Sequence, residues 1–436
     1  HARIYVFFDC FVRYLKKIGF KVFYLQNITN IDDRIIIKAR EKEVPAKDLA
    51  LAFEKEYLKD MKSLGIKSVN KYARATDHIR QIISQIKRLL EKGYAYKLED
   101  GIYFDIKKSK DYGNLSKRTV LQAEDSVSRI DYNKDKRNRG DFCLWKIRQE
   151  YNKSEPAWPS PFGKGRPGWH IEDTAIAEKF FGPQYDIHGG GIDLSFPHHE
   201  AEIAQMEALS GKKPMAKIWM HVGFLTIQGQ KMSKSLNNFI TVNDFVKRHP
   251  YRHLRFWIIR NLWKSPLDYS ESVMPENKTA IEKIEEFLRK IKNQKSKIKI
   301  TNKNSKIKNN FSKLKRDFYE NLADDFNTPK AFASVFEFIK EANKVLDKNQ
   351  MGKKEAGQII KFFGQINEIF DIIDFKQLGV SNIPSEVEKL AKERDKLRKS
   401  GDFQKSDELR MEIEKYGFLV EDSKEGFVLK KLQRRG

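Results

Sequence analysis

Lys231-Met232-Ser233-Lys234-Ser235 sets two ammonium groups three positions apart, with small hydroxyl residues around them. Gly229 stands just ahead of the run. A cationic loop of this kind can lay a lysine on a polyphosphate and stabilise charge that moves toward a leaving pyrophosphate. Pro197-His198-His199-Glu200-Ala201-Glu202 offers a different chemistry. On a helix His198 and Glu202 are four apart and share a face, which suits two ligands on one metal ion, while His199 points elsewhere and is the weaker candidate. Asp173, in Trp169-His170-Ile171-Glu172-Asp173, is expected just after a strand and adds a third donor. Oxygen and nitrogen donors are acceptable to zinc, although a set without thiolate is less selective for it.

His188-Gly189-Gly190-Gly191-Ile192-Asp193 is the third constellation. Glycines such as Gly190 permit close backbone approach to a nucleotide, and Asp193 could accept from ribose hydroxyls. His1, at the start of a helical pattern, stands where free backbone N–H groups favour phosphate.

The elements that must hold these residues follow from periodicity. Residues 2–18 carry Val6, Phe7, Phe11, Leu15 and Ile18 at helical spacing, and Gly19 stops that helix. Lys21–Leu25 reads as a strand, so helix and strand together form the repeating unit of a parallel α/β sheet. Asn27 to Asp33 then leave the strand's C-terminal end, where open sheets place ligands. Residues 36–98 read as helical with an Ile/Leu stripe, Gly101–Ile106 as a strand, and 156–168 as ordered Pro/Gly/Trp loop. A helix is expected to begin near Pro197, and Trp219–Leu225 is the last strand before the lysine loop. From 240 to about 385 the pattern is helical. Two charged helices (386–399 and 403–415) and a hairpin follow.

The 436 residues carry a net charge of +24, which points to a polyanionic partner, nucleic acid first. From Phe287 to Arg316 there are many lysines and no acidic residue; that run is either an arm against nucleic acid or a solvated surface. With a mean hydropathy of -0.65 and no apolar run near the roughly 20 residues that span a bilayer, a membrane role is excluded. Two cysteines in apolar surroundings do not make a disulfide framework, so a reducing cytoplasm is expected.

The motifs occur together and in one order, and on them the chain resembles the cysteinyl-tRNA synthetases, class I aminoacyl-tRNA synthetases. The resemblance runs through FFDCFVRYLKKIGFKVFYLQNITNIDD, DFCLWK, WPSPFGKGRPGWHIED, YDIHGGGIDLSFPHHEAEIAQ, KMSKS and DDFNTP to the terminal RDKLRKSGDFQKSDELR. It implies an α/β chain: a Rossmann-like parallel-sheet catalytic domain at 1–240 with an insertion at about 40–145, a connecting helical segment at 241–280, a helical anticodon-binding bundle at 281–385 and a small α+β module at 386–436. It further implies that Lys231 and Lys234 contact ATP phosphates, Lys234 more directly. His1 matches the last residue of a His-Ile-Gly-His signature, Thr29 and Trp169 line the cysteine pocket with His188 beside it, and Asp193 lies near adenosine. His198 and Glu202 match two of four zinc ligands, and Asp173 stands where the family usually has cysteine.

The expected reaction is ligation of L-cysteine to tRNA(Cys) through cysteinyl adenylate, with ATP, Mg2+ and one Zn2+, by a monomer. A cysteine:amino-sugar ligase and an inactive tRNA-binding remnant are the alternatives. Because the chain opens at His1, inside the signature, a trimmed N-terminus lacking the first strand and one zinc ligand is expected, with impaired catalysis.

Overall fold

The structure, a computed structural model, describes residues 1–118, 133–150, 155–232, 238–295, 305–348, 350–376, 378, 383–423 and 426–432. The chain divides into two compact units. The first comprises His1–Val12, Phe20–Arg248 and Trp263–Tyr269; the second comprises Arg13–Gly19, His249–Leu262 and Ser270–Gly436.

In the first unit, α1 (Ala2–Lys17) begins the chain and buries Val6, Phe7 and Cys10. Of the residues the sequence pattern selects, Val6 and Phe7 are buried, Phe11 and Leu15 are half-buried, and Ile18 is exposed beyond the helix end, while Phe8, Val12 and Tyr14 are buried in addition. The strand expected at Lys21–Leu25 lies later, as β1 (Leu25–Ile28). The ladder to β2 (Lys71–Arg74) starts at Leu25↔Lys71, and just ahead of it Tyr24 O accepts from Asn70 N at 2.8 Å and Lys71 N at 3.3 Å. β1 and β2 run parallel, joined through α2 (Asp33–Glu41) and α3 (Ala46–Ser63).

After α4 (Ile79–Glu91) the chain builds an antiparallel sheet in the order β3 (Ala95–Lys97), β4 (Gly101–Phe104), β5 (Phe142–Ile147), β6 (Gly165–Pro167). This layer runs beyond residue 145, the expected end of the insertion, and β2 within that range pairs with β1. The cause is β6: Gly-Arg-Pro looks like loop in sequence, yet an edge strand tolerates proline. Ile82, Ile86 and Leu89 of α4 pack with Phe104, Leu144, Trp145 and Ile171 as one core.

α5 (Trp169–Phe181) follows Gly168 directly. Asp173, expected after a strand, therefore lies one turn inside a helix. Residues 170–177 are all buried, so the apolar stripe that would have announced a helix is absent. β7 (Tyr185–Gly191) pairs in parallel with β8 (Ala216–Val222), and α6 (Glu200–Ser210) lies between them in sequence. α6 is entered through a wide turn at Ser195–His199, kinked at Phe196.

β9 (Leu225–Ile227), β10 (Gln230–Lys231) and β11 (Leu267–Tyr269) form a three-stranded sheet with β9 central. The β9–β10 turn is Gln228-Gly229, both at positive φ (52° and 73°), the geometry of a tight hairpin. β11 interrupts what the sequence pattern reads as continuous helix after 240; α7 (Val242–Arg248) precedes it.

The second unit contains α8 (Tyr251–Ile259), α9 (Met274–Lys295), α10 (Ser305–Ala323), α11 (Thr328–Asp347) and α12 (Lys353–Phe370). Its core is rich in phenylalanine, with Phe287, Phe318, Phe363 and Phe370 fully buried. α13 (Ser385–Lys399), α14 (Phe403–Lys415) and the hairpin β12 (Phe418–Ser423)–β13 (Gly426–Lys431) share a small core of Val387, Ala391, Ile413 and Val420, as the pattern predicts. The part of the basic 287–316 run from 296 to 304 lies outside the described residues. Among the described residues no helix is long and apolar enough to cross a membrane.

Candidate active site

The donors come from two helical segments. Asp173 lies one turn after Trp169 on α5, and His198 lies one turn before Glu202 at the entrance to α6. The Nε2 of His198 is 2.8 Å from Asp173 Oδ2 and 3.0 Å from Glu202 Oε1. One ligand atom from each of the three residues falls within 4.8 Å of the others, a spacing that can converge on one ion.

The surroundings orient each donor. Asn27 of β1 donates its amide to Asp173 Oδ1. The indole of Trp169 stacks on the His198 ring at 4.2 Å and 20°. The Nδ1 atoms of His198 and His170 are 2.8 Å apart, so one proton lies between them. Burial and the neighbouring His198 push the His170 imidazole well below its ordinary range, so it stays neutral and accepts from His198 Nδ1–H.

Burial lowers the His198 imidazole, but Glu202 and Asp173 outweigh it and raise the group to about 10. Burial pushes Asp173 up, whereas for Glu202 the pull of His188 and His198 exceeds the burial effect and holds the carboxylate ionised. Glu202 is fully buried, yet neither of its oxygens accepts an aligned hydrogen bond. The ring N–H of His198 is spent on Asp173 and meets Glu202 off its axis. Two buried carboxyl groups therefore share one ring N–H.

A second group of three shares Glu202 and includes His188 and His199. His188 Nε2 lies 3.6 Å from Glu202 Oε2, its Nδ1 pairs with Tyr185 Oη at 2.6 Å, and its ring stacks on Trp219 at 4.7 Å. His199 turns away from His198 and pairs through Nδ1 with His221 Nε2 at 2.8 Å. Sequence reasoning missed His170, His221, Trp219, Tyr185 and Asn27. Trp219 and His221 could have been found, since alternate residues of a strand face one way.

The remaining candidates are spread along the same elements. Thr29 follows β1 beside Glu172, whose buried carboxyl is pushed well up by desolvation and Asp173. Asp193 is exposed in a short turn after β7. His1 caps α1, its carbonyl accepting from Ile4 N at 2.9 Å and Tyr5 N at 3.3 Å. A Cβ on Gly191 would come within 3.1 Å of Ile4, so the first turn of α1 and the Gly191–Asp193 turn are neighbours. A Cβ on Gly190 would meet His199 and Leu194 at 3.0 Å, and one on Gly189 would meet the Phe8 ring at 2.1 Å. Protein fills the space beside those two glycines. Lys231 ends β10, but its side chain and the whole of Lys234 lie outside the described residues.

Residues 1–279 match the model of the class I (C) tRNA synthetase catalytic domain, and 317–374 match the DALR domain. The cysteine–tRNA ligase of Thermoplasma acidophilum is 40% identical over 422 residues, covering 97% of this chain and 90% of the relative. That of Methanococcus maripaludis is 42% identical over 444 residues, covering 99% and 91%.

The chain belongs to the cysteine–tRNA ligase family.

Its fold class is that of the class I synthetases, a Rossmann-like catalytic domain with a helical DALR domain. The fold is also that of Mycobacterium tuberculosis methionyl-tRNA synthetase in complex with methionyl-adenylate, with a TM-score of 0.66 over 85% of this chain and 88% of that one, at 13% identity.

Proposed function

We propose that this family member joins L-cysteine to tRNA(Cys) in two steps, in the cytoplasm and as a monomer. In the first, the cysteine carboxylate attacks the α-phosphorus of ATP, forming cysteinyl adenylate and releasing pyrophosphate. In the second, a hydroxyl of the terminal tRNA ribose attacks the adenylate carbonyl and AMP leaves. The protein supplies position and charge rather than a covalent nucleophile. The N-terminal N–H groups of α1 and Lys231 and Lys234 take the phosphates of Mg·ATP, and Asp193 takes the nucleoside. Thr29, Trp169 and His188 line the pocket for the amino acid.

The observation that carries this reading is the buried Asp173–His198–Glu202 triad, in which two carboxyl groups share one ring N–H and the Glu202 oxygens accept no aligned hydrogen bond. A divalent cation that accepts nitrogen and oxygen donors fits both features, and zinc is the ion we assign. When bound, it offers the substrate thiol a soft contact that a serine hydroxyl cannot match. Asn27 holds the Asp173 carboxylate, His170 fixes the His198 tautomer, and Trp169 shields the imidazole from water. The bundle at 281–385 and the module at 386–436 hold the anticodon stem and loop. A cysteine:amino-sugar ligase has no use for the DALR domain.

The test is cysteine-dependent ATP–pyrophosphate exchange by the protein as encoded, with zinc supplied. Exchange with cysteine and none with serine is expected. Absence of cysteine-dependent exchange would refute the function.

A further inference from the structure

Four backbone carbonyls converge on one side chain in the first turn of α1. Arg3 is 2% exposed. Its Nη1 donates to Gly223 O at 2.8 Å and Phe224 O at 2.6 Å, and its Nη2 to Trp263 O at 3.2 Å and Ser265 O at 2.6 Å. The acceptors belong to two segments about forty residues apart in the chain, the turn between β8 and β9 and the run that enters β11. Burying a guanidinium on neutral carbonyls is expensive unless its N–H groups are well satisfied, and the planar fork meets both segments at once.

The two segments touch backbone to backbone. Gly223 N donates to Trp263 O at 2.9 Å, and a Cβ on Gly223 would lie 2.5 Å from Ser265 O and 2.6 Å from Lys264 O. Leu267 N donates to Phe224 O at 2.8 Å, and β9 and β11 are in register from Leu225↔Leu267 onward. Thr226, two residues past the clamp, is the cross-strand partner of Lys231. Asp268 on β11 then holds the hairpin, accepting from Thr226 Oγ1 at 2.6 Å and Gly229 N at 2.8 Å.

We propose that Arg3 is a positioning residue for adenylate formation: it fixes the Lys231-bearing hairpin against the first turn of α1, so that the two sides of the phosphate site keep one geometry. The inference rests on the reading of this site as a synthetase nucleotide site. Arg3 touches neither nucleotide nor cysteine; it acts through the backbone that carries Lys231. Lysine at position 3 would keep the charge but lose the fork, and could not hold both segments.

The experiment compares Arg3→Lys and Arg3→Gln with the parent in ATP–pyrophosphate exchange and in amide hydrogen exchange. Misplacing a phosphate-binding group by about 1 Å costs about 100-fold in turnover. Both variants should therefore lose kcat by about that factor while the KM for cysteine stays within about twofold. Amides of Leu225–Lys231 should exchange at least about tenfold faster, with those of β7 and β8 unchanged. Unaltered kcat, or loss of protection spread evenly over β7 and β8, would overturn the proposal. If the Arg3 variants do not fold, Gly223→Ala parts the same two segments without touching Arg3. The same split is expected of it, and its absence counts against the clamp equally. A parent without cysteine-dependent exchange refutes the function instead, and the amide-exchange arm still decides on the clamp.

Discussion

Gly189→Ala should unsettle the catalytic unit by forcing α1 off β7. The added Cβ would lie 2.1 Å from Phe8 Cζ and 2.6 Å from Cε1. Carbon atoms rest at about 3.5–4.0 Å, so the ring must retreat by about 1.5 Å. It has nowhere to go, since Phe8 is buried and packs against Phe7 at 5.1 Å and Tyr24 at 6.3 Å. Helix α1 must move with it. That places the cost near the upper end of overpacking, about 2–3 kcal/mol. Phe8→Ala alone should cost about 3 kcal/mol for the lost ring and its cavity, but with the ring gone Gly189→Ala should cost under about 0.5 kcal/mol. The coupling in the double-mutant cycle is then about 2 kcal/mol. Urea unfolding followed by the fluorescence of Trp219 and Trp263 measures all four chains. Additive effects, or a Gly189→Ala chain as stable as its parent, would refute the reasoning.

Two further outcomes are expected. Zinc affinity, measured by competition with a chromogenic chelator, should fall at least about 100-fold in Glu202→Gln and about tenfold in Asn27→Ala, which removes only the brace on Asp173; His199→Ala should weaken it less than His198→Ala. Equal affinity in every variant would dismiss the Asp173–His198–Glu202 site. Arg166 donates to Glu155 at 2.6 Å and to Asp33, which also takes Lys146 at 2.7 Å, so Arg166→Met should cost about 1–3 kcal/mol by taking a buried guanidinium from two half-buried carboxylates. Burial alone would raise Asp33, but Arg166 and Lys146 hold it below its ordinary 3.8. Its contribution is therefore present above that value and lost as pH falls through the depressed one. The gap between parent and Arg166→Met in urea melts should shrink from pH 6 to pH 3, and a gap that stays constant would contradict the assignment.

Local rules were enough for part of this site. His198 and Glu202 sit four apart on a helical turn, and that spacing alone brings their side chains together. Asp173 needed the neighbouring His-Ile-Glu, because α5 is buried all round and has no stripe to reveal it. The partners that orient the donors come from far along the chain: Asn27 lies 146 residues from Asp173, and His170 lies 28 from His198. No periodicity encodes such distances. The glycine triplet has a packing role that its sequence does not announce. Close approach is required there, and at Gly189 what approaches is Phe8. β6 escaped notice since Gly-Arg-Pro has loop composition, and an edge position is legible only once the sheet exists.

The order in which the two units occupy the chain bears on how the molecule can be made. Residues 13–19 and 249–262 belong to the second unit and interrupt the first, which is complete only at Tyr269. During synthesis the hairpin that carries Lys231 leaves the ribosome before β11 does, and so do Gly223 and Phe224, ahead of the Trp263 and Ser265 carbonyls that complete the Arg3 clamp. The nucleotide half of the protein thus cannot close until a stretch of its neighbour has been translated. A gene fragment ending at 248 yields a sheet without its third strand. One that keeps 1–269 intact retains the four carbonyls of the Arg3 clamp.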